Sequence, residues 1–120
     1  MIVSMRSHSD RLLDAMRILR TVNPEITVLY AAIFLEVGAA APKAYPMNEL
    51  LERFGITRAT ASRAVSWLSN SKYPSGKDRL AGHGLIKAEE NEQDRRRVDL
   101  YLTAKGRTLH EQVMAALERK

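Results

Sequence analysis

Apolar residues return every three or four positions in SDRLLDAMRILR, residues 9–20, which puts Leu12, Met16 and Leu19 on one side of a first helix. Ser9 stands where an N-cap is needed, with Asp10 in the first turn. Asn23-Pro24-Glu25 then predicts a second helix start: a capping side chain, a proline at the first helical position and an acid at the positive end of the dipole. Gly38 offers its stop, and the segment between is apolar almost all round, as a central core helix should be. The following AAAPKAYPM holds two prolines and suits a connector or a short extended piece.

NELLERFGITRATASRAVSWLSN, residues 48–70, carries a sharper signal. Asn48 can cap a short helix that buries Leu50, Leu51 and Phe54, Gly55 can take a left-handed ending, and Thr57 can cap a second helix over 58–70. That second helix turns Ala61, Val65 and Leu68 inward, so the order is helix, tight turn, helix. Strands follow at GLIKAEE (84–90) and RVDLYLT (97–103), the latter with Val98, Leu100 and Leu102 alternating against Asp99 and Tyr101. Asn91 to Arg96 joins them as a hairpin loop, and Thr103 caps a last helix striped with Leu109, Val113 and Leu117. No internal repeat or low-complexity tract is visible.

Charge changes this picture from a small helical domain to one with a purpose. The outward face of the 57–70 helix shows Thr57, Arg58, Ala59, Thr60, Ser62, Arg63 and Ser66 without one acid, whereas a merely solvated face mixes Glu with Lys or Arg. From Arg53 to Arg79, six cations stand against Asp78 alone, a net +5 that equals the formal charge of the whole chain. The hairpin loop adds Arg95, Arg96 and Arg97 directly after Asp94. By itself that run could be a solvated turn keeping a sheet edge soluble. Beside an acid-free helix it predicts an α+β, mainly helical fold: a winged helix-turn-helix with a two-stranded basic wing and flanking N- and C-terminal helices. An α-helix fits the major groove of B-DNA, and a hairpin beside it reaches the minor groove, whose negative potential suits arginine.

The chain has 120 residues, enough for one core, and its 45% hydrophobic and 28% charged composition is that of a globular domain. It contains no cysteine, which excludes disulfides, thiolate metal sites and a thiol-oxidation switch. The most apolar stretch, Ile26 to Ala41, is short for a membrane span and carries Glu36, and MIVSMRSHSD lacks the apolar core of a signal peptide, so a cytoplasmic protein without a membrane partner is expected. His8, His83 and His110 are scattered as surface or packing residues, and Glu89 and Glu90 point to opposite faces of one strand. Trp67 and Tyr101 read as core or supporting residues. With no glycine-rich phosphate loop and no metal-ligand spacing, neither an enzyme nor a cofactor or metal is expected.

The segments ITRATASRAVSWL, HGLIKAEE and QDRRRVDLYLTAKGR resemble the multiple-antibiotic-resistance regulator (MarR) family of bacterial winged-helix transcription factors. The wing motif of that family, an acid followed by arginines and a strand ending in Leu-Thr-x-x-Gly, reads here Asp94-Arg95-Arg96 and Leu102-Thr103-Ala104-Lys105-Gly106. The resemblance implies a repressor that acts as a homodimer on a pseudo-palindromic double-stranded DNA operator, with Arg96 in the minor groove and Asp94 orienting it. Arg95 and Arg97 would be phosphate contacts or, for Arg97, a strand-edge residue. SKYPSGKDRLAGH, 71–83, exceeds the usual link of the family; its Lys72, Lys77 and Arg79 could add phosphate contacts or simply occupy a surface loop.

One domain over 1–120 is expected, with 1–22 and 104–120 as flanking helices used for dimerisation. Leu12, Met16, Leu19, Leu109, Val113 and Leu117 would then serve either packing within one chain or contact with a second copy. A small-molecule effector, common among the resembled regulators, has no residue here that points to it. Two other uses of a winged helix compete with transcriptional regulation: a protein-interaction module with an acidic partner, and a plasmid or phage replication or packaging protein.

Overall fold

The computed structural model describes residues 5–69 and 82–119. Five helices and three strands follow in the order α1 (Met5–Arg20), α2 (Val28–Ala40), β1 (Tyr45–Pro46), α3 (Met47–Phe54), α4 (Arg58–Leu68), β2 (Ile86–Glu90), β3 (Val98–Leu102) and α5 (Ala104–Glu118). The apolar α2 is the central element expected of it: Ile33, Phe34 and Val37 are fully buried and meet α4, α5 and β3. Around it, Leu50 of α3, Ala61, Ala64 and Leu68 of α4, Ile86 of β2 and Leu100 of β3 close a single core. Helix α1 lies along α5, with Ala15 and Leu19 packed toward Leu109, Val113 and Ala116.

Several helix ends differ from expectation. Helix α1 begins at Met5, so Ser9 lies inside it rather than capping it, and Arg6 pairs with Asp10 one turn on at 3.5 Å. Asn23 uses its side chain on a turn instead of a helix: its Oδ1 accepts the Glu25 N–H at 2.8 Å, and its carbonyl accepts that of Ile26 at 3.0 Å. The cap of α2 is therefore Thr27, whose hydroxyl accepts the Tyr30 N–H at 3.0 Å. Gly38 does not stop α2 either. It sits within the helix where a Cβ would lie 2.3 Å from the imidazole of His110, so its smallness seats α5 on α2.

Asn48 is not the cap of α3; Pro46 holds that position without a side-chain bond, and Asn48 turns its amide oxygen elsewhere. The other local signals act as read. Gly55 ends α3 in the left-handed region with φ 61°, and the Thr57 hydroxyl accepts the Thr60 N–H at 3.2 Å to start α4. Thr103 caps α5 through the Gly106 N–H at 3.0 Å while donating to the Gly84 carbonyl at 2.6 Å, which fastens the helix to the foot of the hairpin.

The sheet has three antiparallel strands in the order β1-β3-β2, one more than the two-stranded wing expected. The addition comes from the proline-bearing connector, whose Tyr45 and Pro46 pair with Leu100 and Asp99; proline is tolerated because the strand is an edge. Buried Tyr45 ties this strand to the helices: its Oη donates to Glu36 Oε2 at 2.9 Å, and Arg53 of α3 lies 3.3 Å from the same oxygen. Burial, and then the Glu36 carboxylate, push the Tyr45 phenol up to about 12. Among the described residues, no helix is long and apolar enough to cross a membrane.

Candidate nucleic-acid interface

Helix α4 divides its surface as the sequence predicts. Ala61, Ala64, Val65 and Leu68 are buried, while Thr57, Arg58, Ala59, Ser62 and Arg63 are exposed and Thr60 and Ser66 are half-buried. Behind it, Trp67 stands between Tyr30 and His83, with ring centroids at 5.3 Å and 4.2 Å, a supporting position rather than a free stacking platform. Burial, and then the charge of Lys105, hold the His83 imidazole below its ordinary value. Lys105 is close because its ammonium donates to the His83 carbonyl at 2.9 Å.

The outward polar groups of α4 are already partly organised. Thr57 Oγ1 donates to Thr60 Oγ1 at 3.1 Å, and Arg63 Nη2 donates to that same Thr60 oxygen at 3.3 Å. Arg63 thus spends one of its five N–H groups on its own helix and keeps a planar donor fork for a ligand. Arg58 is different: its Nη2 donates to Asn48 Oδ1 at 2.9 Å, bridging α3 and α4 across the tight turn. Asn48 escaped sequence reasoning as a site residue because its partner lies ten positions away on another helix.

Strands β2 and β3 form the wing, and its turn is held by a compact set of bonds. Asn91 Oδ1 accepts the N–H groups of Gln93 and Asp94 at 2.9 Å and 3.0 Å. Asp94 in turn accepts the Arg96 N–H at 3.1 Å on Oδ1 and that of Arg97 at 2.9 Å on its carbonyl. The Arg96 side chain is 94% exposed, with its Nε 3.5 Å from Asp94 Oδ1. The acid therefore stands where it can orient the arginine, and Arg95 is exposed beside it.

Arg97 faces a different partner. Its Nε donates to Asp99 Oδ1 at 2.7 Å, and Asn91 Nδ2 donates to Asp99 Oδ2 at 3.0 Å. Asp99 is buried, against the outward position that strand alternation assigns it, because β1 crosses beside it and both its oxygens receive donors. The Arg97 hydrogen bond holds the Asp99 carboxyl below its ordinary range; burial opposes this and the Asn91 amide adds to it. The same bond raises Arg97 above its ordinary value.

Lys72, Lys77 and Arg79 lie outside the described residues. Of the six apolar side chains considered for dimerisation, Leu19, Leu109 and Val113 are buried within the single chain. Leu12 (52% exposed), Met16 (44%) and Leu117 (39%) reach the surface, joined there by Leu13 and Val28. Among the described residues, no cluster of His, Asp or Glu could hold a metal ion.

No protein-family model matches the sequence, and no curated protein does. Solved structures do match by fold. Staphylococcus aureus MepR in its DNA complex superimposes with a TM-score of 0.67 at 21% identity, over 95% of this chain and 80% of that one. The chain has the winged-helix fold of the MarR family. MarR itself matches with a TM-score of 0.59 at 23% identity, over 96% of this chain and 70% of that one. Regulator Tm0710 of Thermotoga maritima matches at 0.64 and 21%, over 90% of this chain and 65% of that one. Within this MarR-type frame, α4 is the second helix of the helix-turn-helix and β2–β3 is the wing. At such identities the likeness carries the frame, while the exposed side chains have to be read from this chain.

Proposed function

We propose that the protein is a sequence-specific, double-stranded-DNA-binding transcriptional regulator, non-catalytic and cytosolic, acting as a homodimeric repressor on a pseudo-palindromic operator. The observation that carries this reading is the pairing of an exposed, acid-free α4 face with a wing whose Arg96 projects into solvent from an Asp94 bracket. Arg63, with Thr57, Thr60, Ser62 and Ser66 around it, enters the major groove, where each well-placed arginine contributes roughly 1–3 kcal/mol of discrimination between bases. Arg96 enters the adjacent minor groove, and Arg95 meets phosphate. MepR, which has this fold, has been crystallised on DNA. The exposed Leu12, Met16, Val28 and Leu117 line an apolar groove between α1, α2 and α5 that suits a second copy and the two-fold symmetry of a palindromic site.

The test is selection from a random duplex pool at near-physiological salt, with the intact protein and the Arg63→Ala, Arg96→Ala double variant side by side. A palindromic motif enriched by the intact protein and blurred in the variant is the expected result. Direct repeats would point to a replication or packaging role, and no enrichment by either protein would refute DNA reading and turn the basic face toward an acidic protein partner.

A further inference from the structure

The three consecutive wing arginines carry the same charge, yet the structure gives them unequal freedom. Resting on the DNA-binding reading above, we infer that Asp99 is a positioning residue of the wing: it withdraws Arg97 from DNA and, through Asn91, sets the direction in which Arg96 projects.

Arg97 is engaged by a carboxylate whose side chain is only 6% exposed, at 2.7 Å, whereas Arg96 is 94% exposed and 3.5 Å from its acid. For Arg97 to reach a phosphate it would have to leave the covered Asp99 carboxylate without its cation, a costly arrangement. Arg96 has no such debt.

Asn91 works at both ends. Its amide nitrogen holds Asp99 Oδ2, while its amide oxygen holds the N–H groups of Gln93 and Asp94. Asp94 then holds the Arg96 N–H. A continuous line of hydrogen bonds thus runs from Asp99 to the backbone of the wing-tip arginine. Asp99 is itself fixed to the body of the domain, since it pairs with Pro46 in β1, next to the Tyr45 that is bonded to Glu36 of α2.

Releasing this anchor has two opposed consequences, which separates positioning from mere damage to the fold. In Asp99→Asn, Arg97 loses its anion and becomes available to a phosphate, so the plot of log affinity against log salt concentration steepens by about 0.9. At the same time Arg96 loses its aim, and preference at the bases it reads falls by about tenfold, equivalent to one mismatched base pair. A collapsed wing would instead make the salt dependence shallower.

The experiment measures affinity across a salt series, and base preference by selection, for the intact protein, Arg96→Ala, Asp99→Asn and Asn91→Ala. Positions whose preference disappears in Arg96→Ala define the bases read by the wing; positions read by α4 are the internal control for folding. Asp99→Asn is expected to keep the α4 positions, lose the wing positions and steepen the salt slope. Asn91→Ala leaves the Arg97–Asp99 pair in place, so it is expected to lose the wing positions with the slope unchanged. An unchanged wing preference in both variants, or a shallower slope in Asp99→Asn, overturns the inference. If Asp99→Asn fails to fold, Asn91→Ala decides: intact wing preference in that variant refutes it. If the intact protein selects no duplex at all, the DNA-binding reading fails first, an outcome distinct from either of these.

Discussion

Substituting Gly106 by alanine should cost far more than its place in a helix suggests. Gly106 lies in the first turn of α5, where alanine is ordinarily favoured over glycine by about 1 kcal/mol. Here, however, an added Cβ would stand 1.9 Å from the carbonyl oxygen of Leu85, a backbone atom with no rotamer to escape into. Ordinary contact begins at 3.4 Å, so helix and hairpin would have to part by about 1.5 Å. That displacement strains the bond from the Thr103 N–H to the Leu85 carbonyl at 3.0 Å and the one from the Thr103 hydroxyl to the Gly84 carbonyl at 2.6 Å. Overpacking of about 1–3 kcal/mol and two weakened bonds at about 1 kcal/mol each, less the helical gain, leave a net loss of about 3 kcal/mol. Gly55→Ala provides the contrast: nothing lies within 4 Å of its added Cβ, and only the left-handed φ of 61° is penalised, at about 1–2 kcal/mol. Urea unfolding followed by circular dichroism at one protein concentration measures both. Should Gly106→Ala lose no more stability than Gly55→Ala, the close seating of α5 on the Leu85 carbonyl, and with it this account of the glycine in Leu-Thr-x-x-Gly, is wrong.

Two further outcomes are expected. The chain has one tryptophan, so its fluorescence reports the Trp67–His83 stack directly. Because the folded His83 value lies below the ordinary 6.5, the unfolded chain takes up this proton first; the resulting stability is complete above 6.5 and is lost as pH falls through the folded value. A fluorescence transition centred below 6.5 that disappears in His83→Gln is expected, and a midpoint at or above 6.5 would contradict the burial argument. Separately, Leu12→Glu with Met16→Glu should shift the sedimentation of the protein from dimer to monomer with the far-ultraviolet spectrum preserved, since both side chains are exposed in the single chain. Unaltered sedimentation would remove that face from the dimer proposal.

The local parts of the fold were legible because their causes lie within four residues. Gly55, Thr57 and Thr103 each complete a turn with backbone groups close along the chain, and each does what its neighbours predict. Misreadings fall where a polar side chain had two partners within reach. Asn23 bonded to a turn and left the cap to Thr27, while Asn48 served an arginine on the next helix. Strand β1 has two residues, too few to show any period, and it changes the neighbourhood of Asp99 from solvent to interior. Gly38 has the local look of punctuation because nothing nearby in the sequence shows the imidazole of His110 arriving from α5.

The candidate interface divides along the same line. Counting charge identifies the surface, since an acid-free helix face and an arginine run stand out by composition alone, but counting treats Arg95, Arg96 and Arg97 as equals. Their roles diverge through acids two residues away: Asp94 precedes Arg96, and Asp99 follows Arg97. The tight turn at Asp94 folds Arg96 back beside its acid, and the entry into β3 returns Asp99 to the side of Arg97, so each acid is within reach of its own arginine. What the spacing does not reveal is the burial that distinguishes the two pairs. An exposed acid, as at Asp94, can steer a cation and still leave it free for a ligand. A buried one, as at Asp99, retains its cation because separation would strand the carboxylate. In this basic wing, the burial of each acid therefore determines how many of the neighbouring positive charges remain available to an anionic ligand.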